Sequence, residues 1–232
     1  MRTEGETAVA SAAPNRQWGV AGRSESRLPA TLAVLVAALL NYVLPGKFTL
    51  GPTWLMPVLE LIILIPLTLA APRRVPNENR WKQAMAVASI AIVNVANFAS
   101  LYLLIRTLIY DAKSVDGQQL LFSSVAIWAT NIIVFGLWYW EIDRGGPDDR
   151  LETEHAAPDF LFPQMTAPGC TYEGWTPFFI DYLYVAFTNA TAFSPTDTMP
   201  LTPVAKVLMM LQSICSLATI AIVASRAVNI LS

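Results

Sequence analysis

Six apolar segments, nearly free of charged residues, constrain this chain of 232 residues more than any other feature of its sequence. Between Leu28 and Ala71, for example, the charged residues are Lys47 and Glu60 alone. A bilayer core of about 30 Å takes roughly 17–25 helical residues to cross. Each segment is therefore long enough to span, although the fifth is only marginally so. The predicted spans are 28–44, 54–71, 84–110, 120–140, 177–193 and 203–230.

The overall composition agrees with a membrane location. Charged residues make up 14% of the chain and hydrophobic residues 54%, whereas soluble domains carry about 25% charged residues. So few ionised side chains do not cover a water-soluble surface, which excludes a disordered protein, a nucleic-acid binder and an ordinary soluble enzyme. We predict an all-α, polytopic membrane bundle of six transmembrane helices, with a single domain over 28–232 and the lipid bilayer as its partner.

The distribution of Lys and Arg predicts the orientation, because cytoplasmic loops carry an excess of these residues. Residues 1–27 contain four arginines and no apolar run, and we expect a disordered cytoplasmic tail there. With six spans, the cytoplasmic side carries eleven basic residues: four in 1–27, four in 72–82, two in 142–175, and Arg226. Four lie outside. Both termini and the loop 141–176 are then cytoplasmic.

An alternative has five spans and a re-entrant half-helix in place of the fifth segment. Lys206 and Arg226 then exchange sides, and the count stays at eleven to four, so basic residues do not distinguish the two arrangements. Two helix starts are marked by Thr176-Pro177 and Thr202-Pro203. Each places a capping hydroxyl before a proline at the first helical position, which predicts helices beginning at 177 and 203.

Polar side chains inside the predicted spans are the candidates for function, because they are costly there and usually face inward. Asp181, Tyr184, Thr188 and Thr191 are spaced i, i+3, i+7 and i+10, which places them on one face of a helix. Similar lines in other spans comprise Asn94, Asn97, Ser100, Ser124, Asn131, Gln212, Ser216 and Thr219. They indicate either hydrogen bonds between helices, worth about 0.6 kcal/mol each, or a water-filled path or substrate cavity.

Glu60 is the carboxylate predicted to lie deepest in a span. An intramembrane carboxylate is a functional candidate by default, as a protonated acid, a partner of a basic residue or a proton-coupling site. It lies only about 10 Å from the Trp54 end of its span, at 1.5 Å per residue. Glu60 is therefore also within reach of water at the headgroups.

No enzyme signature is found. The spans contain no histidine, and the motifs of zinc and serine hydrolases and of phosphate-binding loops are absent. His155 lies in an acidic loop, and Cys170 and Cys215 have no metal-ligand spacing. We predict a protein that is not an enzyme, with no catalytic, cofactor-binding or metal-binding residue.

The last third of the chain carries a distinctive series of short motifs. They are Phe162-Pro163, Asp181-Tyr182-Leu183-Tyr184, Phe187-Thr188, Thr196-Asp197 and Val228-Asn229. The series resembles a family of bacterial inner-membrane proteins of unknown function, which share Phe-Pro, Asp-Phe-x-Tyr, Phe-Thr, Ser-Asp and Val-Asn. The resemblance covers about 160–232 and implies a location in the bacterial inner membrane.

The same region is also similar to the pore module of two-helix potassium channels, in which a short helix, a filter and an inner helix follow one another. Against the filter Thr-Thr-Val-Gly-Tyr-Gly-Asp, only Thr191 and Asp197 are retained. Ser194 and Thr196 replace the two glycines, whose backbone freedom other residues lack. The resemblance therefore implies a degenerate pore-like module that is not selective for potassium.

Two functional hypotheses follow. In the first, the protein is channel- or transporter-like, and its path is lined or gated by Asp181, Tyr184, Thr188, Asn189, Thr191 and Asp197. Glu60, Asn94, Asn97, Asn131 and Gln212 are further intramembrane polar candidates. In the second, it is a structural or partner-binding membrane protein that transports nothing. The pore resemblance is compatible with a homo-oligomer, and the sequence identifies no protein partner.

Overall fold

The computed structural model describes residues 28–55, 58, 62, 79–111, 116–151, 157–166, 175–191 and 198–231. Within these ranges most residues are helical, with two short strands and connecting loops, which confirms the all-α class. The five main helices are α1 (Leu28–Val43), α2 (Asn79–Tyr110), α3 (Gly117–Ile142), α4 (Phe179–Thr191) and α5 (Pro203–Leu231). Strands β1 (Phe160–Leu161) and β2 (Met199–Pro200) pair in antiparallel register. The predicted tail 1–27 and most of the predicted span 54–71 lie outside the described residues.

Three of the described helices are long and apolar enough to cross a membrane, over Gln83–Tyr110, Gly117–Gly145 and Pro203–Ser225. Their lengths of 28, 29 and 23 residues meet or exceed the roughly 17–25 residues that a bilayer core requires. The helix α1 is a shorter apolar helix of 16 residues. The protein is thus an integral membrane helix bundle.

Helix α3 lies at the centre of the bundle and packs against α1, α2, α4 and α5. Its start belongs to a cluster that includes Leu120, Leu104 of α2 and Phe48, which follows α1. Near its end, Gln83 Nε2 of α2 donates to the carbonyl oxygen of Gly145 at 2.6 Å. Helices α1 and α2 therefore run antiparallel to α3. We refer to the end of the bundle where α3 ends as the cap end, and to the other as the far end.

Helix α5 also begins at the cap end and runs to the far end. The Thr202 hydroxyl, one residue before α5, donates to Asp159 Oδ1 at 2.5 Å, and the Asp159 amide donates to Asp143 Oδ1 at 2.8 Å. Ile222, near the end of α5, packs in the far-end cluster with Leu104. As predicted, α5 begins at Pro203, and the Ala205 amide donates to the Thr202 hydroxyl at 3.3 Å.

Helix α4 begins at the cap end as well, which departs from the six-span prediction. Its first turns contact the end of α3, where the Phe179 and Trp140 rings lie 5.9 Å apart. It runs parallel to α5, since Gln212 Nε2 donates to the Ala186 carbonyl oxygen at 2.7 Å. By Met199 in β2 the chain is again beside β1 at the cap end.

The geometry of α4 fits the re-entrant alternative. Its 13 residues extend about 20 Å at 1.5 Å per residue, short of the roughly 30 Å core. The short length of α4 favours the re-entrant alternative for 177–193 over a full crossing. Helix α1 starts at the cap end, and α5 finishes at the far end. The start of α4 was also misplaced, because the helix begins at Phe179 and not at 177.

The segment that follows α3 was predicted as a loop, but part of it is folded onto the end of the bundle. We call residues 143–151 and 157–161 the cap. Single helical turns lie at Asp143–Gly145 and Asp149–Leu151. Arg144 has a φ of 56°, and the two glycines after it also have positive φ, which makes a sharp turn directly after α3. Buried in this turn are Asp143, Arg144 and Arg150.

Candidate functional site

A network of polar side chains connects α3, α4 and α5 inside the bundle, and Gln212 is its centre. Gln212 has no exposed surface. Its Oε1 accepts from the Tyr139 hydroxyl at 2.5 Å and from Asn189 Nδ2 at 2.7 Å, while its Nε2 donates to Ala186. Side-chain amides carry both donors and acceptors, so one residue joins three helices.

Asn189 and Asn131 extend this network, and Asn131 Nδ2 donates to the Gln212 carbonyl oxygen at 3.2 Å. Asn189 Nδ2 also donates to the Met209 carbonyl oxygen at 3.0 Å, and Asn189 Oδ1 accepts from the Ser213 hydroxyl at 3.1 Å. Asn131 Nδ2 donates to Ser216 Oγ at 2.8 Å. These contacts fix the positions of α4 and α5 relative to α3.

The cap contains a second network, centred on the buried carboxylate of Asp143. Its Oδ2 accepts from the Tyr182 hydroxyl of α4 at 2.5 Å and lies 3.6 Å from Arg144 Nε. Its Oδ1 accepts from the amides of Asp159 and Phe160 at 2.8 and 3.3 Å. A buried charge is stable only when it is paired and hydrogen-bonded, and Asp143 meets both conditions. The carboxylate thereby ties the end of α3 to β1 and to the start of α4.

Arg150 also lies in the cap, in contact with the end of α3 and with Tyr182. Its guanidinium Nη1 donates to the carbonyl oxygens of Trp140 and Asp143 at 2.7 and 2.9 Å. The guanidinium carbon lies 5.8 Å from the centre of the Trp140 ring and 5.3 Å from that of Tyr182. Arginine stacks well on aromatic faces. Arg150 therefore closes the turn after α3 and supports Tyr182, which binds Asp143.

The predicted stripe on the fifth segment does not face the bundle. Tyr184 is 58% exposed, and Asp181, Thr188 and Thr191 are half-buried. The hydroxyls of the two threonines donate to carbonyl oxygens of the preceding turn in α4, as threonines in membrane helices do. Asp181 Oδ2 accepts from the Phe178 amide at 2.7 Å, so this carboxylate caps the start of α4.

A third set of buried polar atoms, on α1, α2 and α3, has no hydrogen-bond partner in the part of the chain that the structure describes. Among the described residues, Nδ2 and Oδ1 of Asn97, the Thr130 hydroxyl and Oδ1 of Asn131 have no hydrogen-bond partner. The same is true of Asn94 Oδ1 and Asn41 Nδ2. Asn97, Thr130 and Asn131 have no exposed surface.

The structure thus divides the predicted site residues into separate groups. Asn189, Asn131 and Gln212 are joined in one network, with Ser216 as a further member and the buried Thr219 one turn beyond it. Asn94 and Asn97 belong to α2 and do not take part. Asp181, Tyr184, Thr188 and Thr191 lie towards the outer face of α4. Glu60 and Asp197 lie outside the described residues.

Sequence reasoning missed the cap residues and Tyr139. Tyr139 stands in an aromatic run at the end of a predicted span, where Tyr and Trp commonly mark the membrane surface, yet it is fully buried. The sequence indicates a role for Asp143 only weakly, by its place as the second acidic residue after an apolar segment. Its importance depends on Tyr182 and Asp159, which are 39 and 16 residues away in sequence.

Among the described residues, no group of three or more His, Cys, Asp or Glu side chains is arranged to hold a metal ion. No protein family model, curated protein or solved structure matches this chain.

Proposed function

We propose that this protein is channel- or transporter-like and that α3, α4 and α5 form its translocation module. The observation that carries the proposal is the re-entrant placement of α4, which begins beside α5 at the cap end and runs parallel to it. A helix that does not cross the bilayer leaves backbone groups at membrane depth. Such groups are tolerated only where protein buries them or where they line a water-filled cavity.

Discontinuous helices of this kind line substrate and ion sites in many transporters. Here the last turn of α4 presents Thr188 and Thr191 towards the outer face, and four C-terminal carbonyl groups of a helix lack partners in the helix itself. The predicted path residues Asp181, Tyr184, Thr188 and Thr191 share that face. Asn189 points the other way and holds α4 in place.

The outer face of α4 becomes enclosed when copies of the protein meet. We therefore propose a homo-oligomer in which this face borders a shared axis. The expected result of native mass spectrometry on protein extracted in mild detergent is a dimer or higher assembly. A strictly monomeric protein at all concentrations tested contradicts the shared axis.

The orientation follows from the basic residues. We propose that the cap end is cytoplasmic, in a bacterial inner membrane, so that α4 enters from the cytoplasm and α5 ends outside. The test is the accessibility of single cysteines to a membrane-impermeant maleimide, in a background in which Cys170 and Cys215 are replaced. Ser194→Cys is expected to react from the same side as Asp148→Cys in the cap. Leu50→Cys at the far end is the control and should react from the opposite side; reaction of Ser194→Cys with the Leu50→Cys side overturns the re-entrant arrangement.

Flux through liposomes tests transport itself. Purified protein in liposomes is expected to pass ions or small solutes, and Thr188→Val, Asp181→Asn and Asp197→Asn are expected to change the flux. Thr219→Val is the matched control for Thr188→Val. Its hydroxyl donates to the Cys215 carbonyl oxygen within α5, away from the outer face of α4.

One observation favours the second hypothesis, a structural or partner-binding protein. The amide groups of Gln212 and Asn189 bind protein partners, as polar residues that join membrane helices do. This hypothesis predicts no flux for a broad set of ions and solutes. It also predicts that Thr188→Val and Asp181→Asn alter stability alone.

A further inference from the structure

The polar atoms without partners on α2 and α3 lie at one depth in the bundle. Gln83 of α2 bonds to Gly145 after α3, and Asn97 follows Gln83 by 14 residues. Asn131 precedes Gly145 by the same number. Because α2 and α3 are antiparallel, both positions lie about 20 Å from the cap end at 1.5 Å per residue.

Packing on either side places Asn97 against this part of α3. The next residue, Phe98, has its ring 6.4 Å from that of Phe135. One turn further on, Leu101 packs in the same buried cluster as Ile127. The α3 residues level with Asn97 therefore lie between 127 and 135, a stretch that includes Thr130 and Asn131.

Leaving these groups without a partner is costly. An amide or hydroxyl removed from water without a hydrogen bond costs roughly 2–7 kcal/mol, depending on the reference state. The chemistry of the set indicates the missing partner. Asn131 Nδ2 is committed to Ser216, which leaves Oδ1 as an acceptor. Asn97 adds both a donor and an acceptor, and the Thr130 hydroxyl can do either.

A cation would be bound by oxygen acceptors and repelled by the Asn97 Nδ2 group, whereas water both donates and accepts. Buried waters typically make about three hydrogen bonds to otherwise unpaired polar groups. We propose that Asn97, Thr130 and Asn131 form a water-binding site between α2 and α3 at the middle of the bundle. Asn131 also connects this site to the Gln212 network through its Nδ2 group.

The site is independent of the proposed transport function. A structural protein can hold ordered water at this position, and a transporter can have its path elsewhere. The water site and the flux experiments therefore fail or succeed separately.

Solid-state NMR of the isotope-labelled full chain in lipid bilayers tests the proposal. Magnetisation is transferred from water protons, and the spectrum then reports which side chains lie next to water. The side-chain amide of Asn97 is expected to receive this magnetisation. The control is Gln212 Nε2, equally buried but bonded to Ala186, which should receive none. Absence of transfer to Asn97 overturns the proposal.

Variants make the assignment specific. Asn97→Leu is expected to abolish transfer from water to Thr130, and Thr219→Val to leave it unchanged. If Asn97→Leu fails to fold, Thr130→Val replaces it, and the transfer to Asn97 should fall. Unchanged transfer in the variants places the water elsewhere. A saturable shift of the Asn97 and Asn131 signals with added sodium ions also overturns the proposal, in favour of a cation site.

Discussion

Buried polar side chains at a similar depth in the bundle differ in whether they have hydrogen-bond partners. Towards α4 and α5, the amides of Gln212 and Asn189 are hydrogen-bonded to protein groups. The amide of Asn97 on α2 and the hydroxyl of Thr130 on α3 have no such partner among the described residues. The same kinds of side chain thus join helices in one place and have no described protein partner in another.

The comparison shows that a polar residue in a membrane span has no fixed role. Gln212 joins three helices because Tyr139, Asn189 and Ala186 bring a complementary donor or acceptor to each of its atoms. Neither polar atom of the Asn97 side chain has a hydrogen-bond partner among the described residues. Removing paired residues should therefore cost more stability than removing unpaired ones.

The largest effect is expected at the cap, where α3 and α4 are joined by a charged group. Asp143→Ala leaves the Tyr182 hydroxyl and two amides without their acceptor and Arg144 without its ion-pair partner. We expect a loss of about 3–5 kcal/mol, as for the removal of one partner from a buried ion pair. Unfolding titration in mixed micelles of lipid and SDS measures it. Asp149→Ala, which replaces an exposed aspartate in the second turn of the cap, should lose less than about 0.5 kcal/mol, as surface substitutions usually do. Equal losses in the two variants contradict the role of Asp143.

The next largest effect is expected at the centre of the paired side. Gln212→Leu removes three hydrogen bonds and leaves the Tyr139 hydroxyl without its acceptor and the Ala186 carbonyl without its side-chain donor, while Asn189 keeps its bonds to Met209 and Ser213. Each unpaired buried group costs about 1–3 kcal/mol in general, and measured bonds in membranes average about 0.6. We expect a loss of about 2–3 kcal/mol in the same titration. Ser213→Ala, which removes the one bond to Asn189, is the control and should cost less than half as much.

A smaller effect is expected where α3 and α4 approach most closely. A Cβ added at Gly136 would lie 3.1 Å from the Cα of Leu183. Because that atom belongs to the backbone of α4, the helix itself must move. Overpacking of this kind costs about 1–3 kcal/mol, and we expect Gly136→Ala to fall at the low end. A stability equal to that of the parent protein contradicts the close approach of the two helices.

The smallest effect is expected on the unpaired side. Asn97→Leu breaks no hydrogen bond to the described residues and introduces an apolar side chain of similar shape. A hydrogen bond contributes about 0.5–1.5 kcal/mol net, so the loss of the bonds to the proposed water should lower the free energy of unfolding by about 1 kcal/mol. A loss as large as that of Gln212→Leu indicates that Asn97 has a protein partner, and the contrast between the two sides of α3 then fails.

The sequence predicted the long helices well. The predicted spans 84–110, 120–140 and 203–230 correspond to α2, α3 and α5, because apolar runs bounded by charges are long enough to specify both the helix and its extent. Thr202 and Pro203 also marked the first residue of α5. Helix α4 was harder, since a run of 17 residues is compatible with a span or a half-helix, and the basic residues counted equally for both.

The sequence by itself determined that this is an all-α membrane protein, because its apolar segments admit few other structures in a bilayer. It also identified Asn131, Asn189, Gln212 and Ser216, which form most of the Gln212 network. Only the tertiary structure decided that α4 turns back, and which side chains meet. Tyr182 reaches Asp143, and Gln212 reaches Tyr139, across 39 and 73 positions of the chain. Pairings over such distances depend on how the helices pack, which hydropathy and helical periodicity do not specify.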